Sequence, residues 1–340
     1  MEISKKVLAH QSLNFEEARQ LLTEIREDCY SDEQLKTLLT ALHTKGETVD
    51  EIAGFASVMR EHALPITPRA RVVVDTAGTG GDGHNTFNIS TAAAFVIAGA
   101  GIAIAKHGNR GATSQTGSAD VMAALGVELD LPASAVEECL NEIGIAFCFA
   151  QRFHRATERV AKVRRELGFR TIFNLLGPLT NPARVKRQII GVCDPETARK
   201  LSAACDRLGS EHVWVVCGED GLDELSISSI TFVSEMKQGK SMEFEIIPED
   251  LGFARGQMED LGGGDAPTNA THLRNVLSGE DQSARRDAVL LNAAAGIFVA
   301  GAESLEQALR SAQDSIDDGA ALQKLHQLVS TTQRLKQPKV

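Results

Sequence analysis

From residue 71 onwards, short apolar runs rich in β-branched residues alternate with segments whose apolar residues have helical spacing. The strand candidates are the runs at 72–74, 102–104, 189–192, 213–216 and 244–247. Helices are predicted at 90–99, 134–143, 195–208, 286–299 and 305–335. Because the strand candidates are apolar almost throughout, both faces of their sheet should be covered, which is typical of parallel strands joined by crossover helices. The sequence therefore predicts an α/β fold with a largely parallel central sheet covered by helices.

Before this region lies a stretch with three helix starts, in which a capping side chain precedes a Glu or Gln by three residues. The pairs are Asn14 with Glu17, Ser31 with Gln34, and Thr48 with Glu51. Apolar residues at helical spacing follow each start, so a helical module is predicted that ends near Pro65 and Pro68. Three such helices bury little surface alone, and we expect the module to pack on the rest of the chain, on a second subunit, or on both.

Charge and cysteine content narrow the class of protein. A formal net charge of -11 argues against a broad contact with a phosphate backbone, so no nucleic acid partner is expected. The six cysteines include no C-x-x-C pair and no signal peptide is recognised, so we expect a reduced, cytoplasmic protein. No apolar run reaches the ~18 residues that a membrane span needs, and no membrane partner is expected.

The stretch 75–91, DTAGTGGDGHNTFNIST, directly follows the first strand candidate. Glycine-rich backbone at the end of a strand exposes N–H groups and lets an anion approach without steric interference from Cβ atoms. The stretch matches neither the dinucleotide fingerprint nor the P-loop. A purely structural turn stays an alternative, but Asn88, Ser90 and Thr91 favour a phosphate site because they would lie at a helix N-terminus.

A second polar stretch, KHGNRG at 106–111, follows the second strand candidate, and small hydrogen-bond donors continue from 113 to 120. A cation after a strand is usually a solvated loop charge. Two such loops at neighbouring strand ends, however, would converge on one crevice, where open α/β sheets bind ligands. A ligand with more than one phosphate would fill it.

The loop at 218–224, GEDGLDE, places the carboxylates of Asp223 and Glu224 after another strand candidate. Acidic loops are usually only solvated. At a strand end that faces a phosphate pocket, however, adjacent carboxylates suit Mg²⁺, which binds one or two carboxylates together with waters and substrate phosphates. No His/Cys cluster with zinc spacing competes with this interpretation.

Arg164 and Arg165 lie next to each other in a predicted helix, so only one of them can turn inward. A planar guanidinium is well suited to bind a carboxylate. The alternative is a pair of surface arginines that form ion pairs with Glu158 or Glu166.

Together these motifs resemble those of one family, the anthranilate phosphoribosyltransferases, which are class III phosphoribosyltransferases. The shared motifs are GTGGD at 78–82, NIST at 88–91, KHGNR at 106–110, GSADV at 117–121, VRRELGFRTIFNLLGPLTNP at 163–182 and GLDE at 221–224. They occur in the family's order and spacing and span nearly the whole chain.

The resemblance implies a small helical domain at 1–66, completed by a segment near 160–185, and a larger α/β domain at 67–340 that binds phosphoribosyl pyrophosphate (PRPP). It implies an enzyme of tryptophan biosynthesis that transfers the phosphoribosyl group of PRPP to the amine of anthranilate, with pyrophosphate as the second product. It also implies a homodimer that forms through the helical domain.

The resemblance also implies roles for individual residues. PRPP would be bound by Gly78, Gly80, Gly81, Asp82, Thr86, Asn88, Ser90, Thr91, Lys106 and Ser118. Mg²⁺, with two ions per active site, would be bound by Ser90, Asp223 and Glu224. Anthranilate would be bound by Gly78, His107, Asn109, His154 and Arg164, with Arg164 on its carboxylate. No residue is assigned as an essential acid or base, because an aromatic amine is already neutral at pH 7, and His107 is expected to act as a positioning hydrogen-bond donor.

One segment departs from the family pattern. Where the family typically has A-P-x-x-H-P-A-M-K, this chain has AQRFHRATE at 150–158, which keeps His154 but replaces both prolines, the methionine and the lysine. In the family this stretch borders the route of the acceptor into the site. The alternatives are therefore a transferase or nucleoside phosphorylase of the same fold with another acceptor, and a non-catalytic binding protein.

Overall fold

The N-terminal region of the computed structural model is a bundle of α1 (Glu2–Leu8), α2 (Phe15–Arg26), α3 (Asp32–Lys45) and α4 (Val49–His62). The structure describes residues 2–111, 115–154 and 158–336. The three predicted capping boxes are present, with Asn14, Ser31 and Thr48 as the N-caps of α2, α3 and α4. Each box satisfies backbone N–H groups that the first helical turn leaves without partners, so it fixes where the helix begins.

The rest of the described chain forms one sheet with helices on its faces. Its strands are β1 (Val73–Gly78), β2 (Ala103–Gly108), β3 (Ile145–Phe149), β4 (Arg187–Gly191), β5 (His212–Gly218), β6 (Thr231–Lys237) and β7 (Lys240–Ile246). Their order is β3-β2-β1-β4-β5-β6-β7, with parallel pairing from β3 to β5 and antiparallel pairing from β5 to β7. The predicted α/β class and the largely parallel sheet are confirmed.

Two strands, β3 and β6, were not predicted from the sequence. The β6 strand forms a hairpin with β7, in which Lys237 pairs with Lys240 across the two residues Gln238 and Gly239. Both turn residues have positive φ, of 52° and 75°. A Gln at a position that favours Asn, Asp or Gly is a weak turn signal, so the hairpin is hard to recognise from the residues alone.

The first two strands also extend further than predicted. The predicted β1 ends at 74, whereas the pairing with β4 continues to Gly78, which faces Gly191. The predicted β2 ends at 104, whereas its pairing with β3 includes Lys106 and His107. These additional residues are polar or glycine and show no apolar strand pattern. Hydrogen bonds to the neighbouring strands hold them in the extended conformation. Lys106 and His107 consequently lie on a buried strand and not in a loop.

The helices after the bundle are α5 (Ile89–Gly99), α6 (Ser118–Ala124), α7 (Ala133–Ile143), α8 (Ala150–Phe153), α9 (Glu158–Leu167), α10 (Ile172–Leu176), α11 (Pro195–Arg207), α12 (Ala266–Leu277), α13 (Ala284–Ala300), α14 (Leu305–Asp317) and α15 (Ala320–Lys336). The helical pattern predicted at 305–335 corresponds to two helices, since Gly319 separates α14 from α15. Its φ of +74° is left-handed backbone, which ends a helix and which glycine adopts without strain. No helix among the described residues is both long enough and apolar enough to cross a membrane.

The central strands separate two hydrophobic cores because alternate residues point to opposite faces. Ile189, Trp214 and Val216 contribute to the core under α5 and α13. Ile190 and Val215 contribute to the other core, which also contains the apolar residues of the N-terminal bundle. Side chains from α9 and α10 complete this second core, namely Val160, Val163, Ile172, Phe173 and Leu176. The bundle therefore packs on the rest of the chain, and the segment 158–176 packs with it.

Candidate active site

A cavity of about 320 Å³ opens at the carboxyl ends of the central strands. Most of the predicted site residues line it: Gly78, Gly80, Gly81, Asp82, Thr86, Asn88, Ser90, Thr91, Lys106, His107, Asn109, Ser118, Arg164, Asp223 and Glu224. His154 is the predicted residue that is not part of its wall. The fold thus brings residues of all six sequence motifs together around one space.

Two hydrogen bonds of the Gly80 backbone fix the glycine-rich loop after β1. The Gly80 N–H donates to Oδ2 of Asp223 at 2.7 Å, and the Gly80 carbonyl accepts from Nη1 of Arg170. The φ angles of Gly80 and Gly81 are +66° and +82°, which other residues rarely adopt. A Cβ atom on Gly78 would lie 2.3 Å from Oδ2 of Asp223. The glycines are therefore required by the backbone conformation and by the close approach of the acidic loop.

Helix α5 begins at the cavity, and its N-terminus is also tied to the acidic loop. The Ser90 N–H donates to Oε1 of Glu224 at 3.1 Å. Asn88, the N-cap, accepts from Nδ2 of Asn269 at 3.1 Å and so is fixed from a distant part of the chain. The Oγ1 atom of Thr91 is buried without a hydrogen-bond partner among the described residues. A hydroxyl without a hydrogen-bond partner beside a helix N-terminus can donate to a phosphate oxygen that binds there.

Lys106 is 2% exposed, and its ammonium group points across β1. Its Nζ donates to the carbonyl of Thr76 at 2.6 Å and to Oγ of Ser90 at 3.3 Å. Burial lowers the pKa of Lys106, while the charges of Asp75 and Glu224 oppose that change. The two hydrogen bonds fix the amine at the base of the cavity, and the carboxylates of Asp75 and Glu224 favour its charged form.

Asp223 and Glu224 place two carboxylates at the same wall. Burial, followed by repulsion from Glu224 and Asp82, raises the pKa of Asp223 well above its usual range. Burial also raises the pKa of Glu224, to about 7, although Lys106 opposes the change. This crowding of negative charge favours a cation between the carboxylates. In the described chain no group of three or more His, Cys, Asp and Glu side chains could hold a metal, so further ligands would have to come from substrate and water.

His107 lies under the cavity with its ring orientation fixed. Its backbone N–H donates to Oδ1 of Asp75 at 3.1 Å, and its Nδ1 lies 2.9 Å from the carbonyl of Gly177. A carbonyl only accepts, so this contact assigns the proton to Nδ1 and leaves Nε2 as an acceptor. Nε2 is buried and has no partner among the described residues. The prediction of a positioning donor is therefore wrong: the free nitrogen of this ring can accept.

His154 packs behind His107 and not in the cavity wall. The ring centroids are 5.4 Å apart, and Nε2 of His154 lies 3.0 Å from the carbonyl of Thr180. Burial lowers the pKa of His154 to about 3 and that of His107 to about 4. Both rings are consequently neutral at pH 7. Direct contact between His154 and anthranilate stays a prediction.

The segment that departs from the family pattern is partly described. Gln151 lies in α8, and its Nε2 donates to Oδ1 of Asn109 at 3.4 Å, so a departing residue contacts a predicted acceptor residue. Arg155, Ala156 and Thr157 lie outside the described residues.

Arg164 and Arg165 differ as predicted for neighbours on a helix. Arg164 is half-buried and lines the cavity, whereas Arg165 is exposed. Burial lowers the pKa of Arg164, and its guanidinium carbon lies 5.8 Å from the ring centroid of Phe173. Glu166, a possible surface partner, instead forms an ion pair with Lys36 at 2.9 Å. Arg164 has no ion pair within the described ranges, which leaves its charge available to a ligand.

Several residues of the site were missed by the sequence analysis. Arg170 contacts Gly80, and Asn181 donates to Oδ2 of Asp75 at 2.8 Å and to the carbonyl of Ala105 at 2.6 Å. Phe173 and Pro178 contribute apolar side chains to the wall. Arg170, Phe173, Pro178 and Asn181 all lie in the motif at 163–182. The long match to this motif indicated that the segment belongs to the site. The role of each residue in it depends on tertiary contacts, which the spacing of residues does not reveal.

Comparison with known proteins gives consistent results along the chain. Residues 1–63 match the model of a glycosyl transferase family helical bundle domain, and residues 70–322 match that of a glycosyl transferase family a/b domain. A protein of Moorella thermoacetica described as anthranilate phosphoribosyltransferase is 50% identical over 326 residues, which are 96% of each chain.

Solved structures with the same description are also similar. That of the Thermus thermophilus protein has a TM-score of 0.93 and 41% identity, covering 98% of this chain and 100% of the other. The Saccharomyces cerevisiae protein in complex with PRPP and Mg has a TM-score of 0.89 and 29% identity, covering 98% and 97%. The same yeast protein in complex with 4-fluoroanthranilate has a TM-score of 0.87 and 27% identity, covering 98% and 97%.

Proposed function

Because the chain belongs to the anthranilate phosphoribosyltransferase family, we propose that its cavity transfers the phosphoribosyl group of PRPP to the amine of anthranilate, a step of tryptophan biosynthesis. The predicted family resemblance is confirmed. The observation that carries the proposal is the convergence of the glycine loop, Lys106 and the Asp223–Glu224 pair with Arg164 around one cavity. The first three suit a polyphosphate donor, and Arg164 suits a carboxylate on the acceptor.

The donor site lies on the sheet side. The glycine loop and the polar side chains at the N-terminus of α5 bind the pyrophosphate, and the ammonium group of Lys106 adds positive charge beside them. Thr79 and Thr91 support this assignment, since both line the cavity and both have a buried hydroxyl without a partner in the described residues. These groups act on the oxygen atoms where negative charge accumulates as the bond from C1 of the ribose to pyrophosphate breaks.

Mg²⁺ fits the acidic wall, with Asp223, Glu224 and the Ser90 hydroxyl as its ligands from this chain. All three supply the hard oxygen atoms that this ion prefers. When bound, Mg²⁺ neutralises charge on the leaving pyrophosphate. The yeast relative was solved with PRPP and Mg, which supports the choice of metal. Two ions per site is part of the proposal and follows from the family resemblance.

The acceptor site lies on the helical side. Arg164 binds the anthranilate carboxylate, while Phe173 and Pro178 contact the ring. Nε2 of His107 accepts a hydrogen bond from the amine and thereby turns its lone pair towards C1. The C1–N bond forms as pyrophosphate leaves with the electron pair of the C1–O bond, and the protonated nitrogen then releases its proton to water. No side chain has to act as a strong base, so catalysis rests on orientation and leaving-group stabilisation.

The test measures anthranilate fluorescence in a mixture of purified protein, PRPP and Mg²⁺. We expect metal-dependent loss of fluorescence that a chelator stops, a fall of about 100-fold or more in kcat/KM for Arg164→Ala, and little change for the exposed neighbour Arg165→Ala. If PRPP binds by calorimetry but anthranilate is not consumed, the acceptor assignment is wrong, and a same-fold enzyme with another acceptor becomes the better proposal.

The homodimer and the cytoplasmic location stay predictions. Leu8 in α1 is 47% exposed and Phe169 after α9 is 37% exposed. Both large apolar side chains lie on the helical side of the chain, which supports association there. Sedimentation velocity at several concentrations measures the mass in solution, and a monomer at all concentrations would exclude the dimer.

A further inference from the structure

A second cavity, of about 400 Å³, lies between the N-terminal bundle and the α/β region. Its walls come from α2 and α4 on one side and from the segment 184–186 and the end of α11 on the other. None of its lining residues belongs to the substrate cavity. We call it the basic cavity, because Arg or Lys occupies five of its lining positions and Glu occupies one. The chain as a whole has a formal net charge of -11, so this is a local reversal of sign.

Three of the five cations are already paired with a carboxylate. Arg19 bonds Glu61 at 2.8 Å, Arg207 lies 3.2 Å from Asp50, and Lys186 lies 3.3 Å from Glu211. These pairs neutralise their charges locally and need no ligand. The remaining two cations, Arg60 and Arg184, form no ion pair with any described residue.

Arg60 is the inner of the two unpaired arginines. Its Nε donates to the carbonyl of Leu179, and its Nη1 donates to the carbonyl of Leu208 at 3.3 Å. These two bonds fix the guanidinium plane, and Nη2 has no partner among the described residues. Burial lowers the pKa of Arg60, and the charge of Arg184 lowers it further, while Cys205 opposes the change. A positive charge held in this way lacks a counter-ion.

Arg184 completes the pair from the other wall. Arg184 is exposed, and its Nη2 donates to the backbone carbonyl of Arg60 at 3.4 Å, so the Arg184 guanidinium lies against the backbone of α4 at Arg60. Its φ is +48°, a left-handed conformation that is uncommon for a residue with a side chain. The last turn of a helix often carries a cation that offsets the helix dipole, and this accounts for Arg60 in α4 and Arg207 in α11. It does not account for Arg184, which lies outside any helix.

We propose that Arg60 and Arg184 form a binding site for a small oxyanion of the phosphate or carboxylate type. Nη2 of Arg60 has no partner among the described residues, and the Arg184 guanidinium lies on the other wall of the cavity, so the two groups can donate to different oxygen atoms of one anion. The bound anion would supply a counter-charge for Arg60, whereas the charge of Arg184 already interacts with Glu61. The site is separate from the proposed pyrophosphate site in the substrate cavity and does not depend on the proposed reaction.

Inorganic phosphate is the first probe, titrated by calorimetry at constant ionic strength into three proteins. These are the wild type, Arg184→Gln, and Arg310→Gln as a control that removes an exposed arginine of α14. Phosphate that enters the substrate cavity contributes equally in all three, so the difference between them reports the basic cavity. We expect Arg184→Gln to weaken the second binding event by about ten-fold or more, and Arg310→Gln to leave it unchanged.

Two further measurements keep the result interpretable. Malonate in place of phosphate distinguishes a carboxylate ligand from a phosphate ligand, because the probe with the lower Kd identifies the type of anion that the site prefers. Crystals soaked in selenate should show anomalous density between Arg60 and Arg184. Equal phosphate binding by the wild type and Arg184→Gln, or selenate found only in the substrate cavity, would overturn the proposal. Turnover of anthranilate by Arg184→Gln should equal that of the wild type, which separates this test from that of the enzyme activity.

Discussion

Asp223 and Gly80 are 143 residues apart in the chain, yet Oδ2 of Asp223 accepts the Gly80 N–H at 2.7 Å. The acidic loop that is proposed to hold Mg²⁺ therefore also fixes the loop that is proposed to hold pyrophosphate. Because Asp223 has these two roles, Asp223→Asn and Asp223→Ala should both lose activity but should differ in thermal stability.

Asp223→Asn should retain the bond to Gly80, because its amide oxygen can still accept, but it removes the negative charge. We expect kcat/KM to fall by about 100-fold or more through the loss of a metal ligand, with little change in thermal stability. Asp223→Ala should show the same kinetic loss and a lower Tm as well. Steady-state kinetics across a range of Mg²⁺ concentrations, together with thermal melts of both variants, tests this distinction. Full activity of Asp223→Asn would contradict a metal-binding role.

Arg170 should act as a positioning residue for the glycine loop, since it donates to the Gly80 carbonyl. Arg170→Ala should raise KM for PRPP by about ten-fold while KM for anthranilate changes less, because the loop belongs to the donor site. Arg170→Lys should recover only part of the loss, since a single ammonium replaces a planar fork. A change in KM for anthranilate alone would show that Arg170 acts on the other side of the cavity.

His107 and His154 should make the fold sensitive to acid. Their folded-state pKa values, about 4 and about 3, lie below the ordinary value of 6.5. Between pH 6.5 and the folded-state pKa of each ring, the unfolded chain binds more protons than the folded protein. The contribution of the neutral rings to stability is therefore complete above about pH 6.5 and falls as the pH decreases. Each ring contributes a slope of at most about 1.4 kcal/mol per pH unit. Chemical denaturation of the wild type and His154→Gln from pH 7 to pH 4 measures it, and equal slopes in both proteins would exclude this account for His154.

Gln151→Pro would restore the residue that the family pattern has at this position. The change removes the hydrogen bond to Asn109 but should leave the short helix α8 intact, since proline is tolerated in the first turn. We expect a change of less than about ten-fold in KM for anthranilate and none in KM for PRPP. Competition between anthranilate and ring-substituted analogues would measure whether acceptor preference shifts, and an effect confined to PRPP would contradict the contact with Asn109 as its cause.

The sequence alone predicted the parts of the site that are carried by continuous motifs. Lys106, Asp223 and Arg164 could be identified because each lies in a stretch whose residue types suit one ligand. The role of His107 was predicted incorrectly, since the proton position depends on the Gly177 carbonyl, 70 residues away. Arg170 and Asn181 were missed for a related reason, because their partners lie in distant parts of the chain. Local patterns thus predict which residues reach the site, and tertiary contacts decide what each one does.

The two walls of the substrate cavity come from different parts of the fold. Arg164 and Phe173 come from α9 and α10, whose apolar residues pack with the N-terminal bundle, whereas Lys106 and Asp223 lie at the carboxyl ends of sheet strands. Substitutions at Arg164 and Phe173 can therefore change the acceptor wall while Lys106 and Asp223 are kept, whereas Arg170 in the same segment has to stay because it holds the glycine loop. In evolutionary terms this arrangement allows the preference for an aromatic acceptor to change by substitutions in one wall without loss of the groups that bind the leaving pyrophosphate.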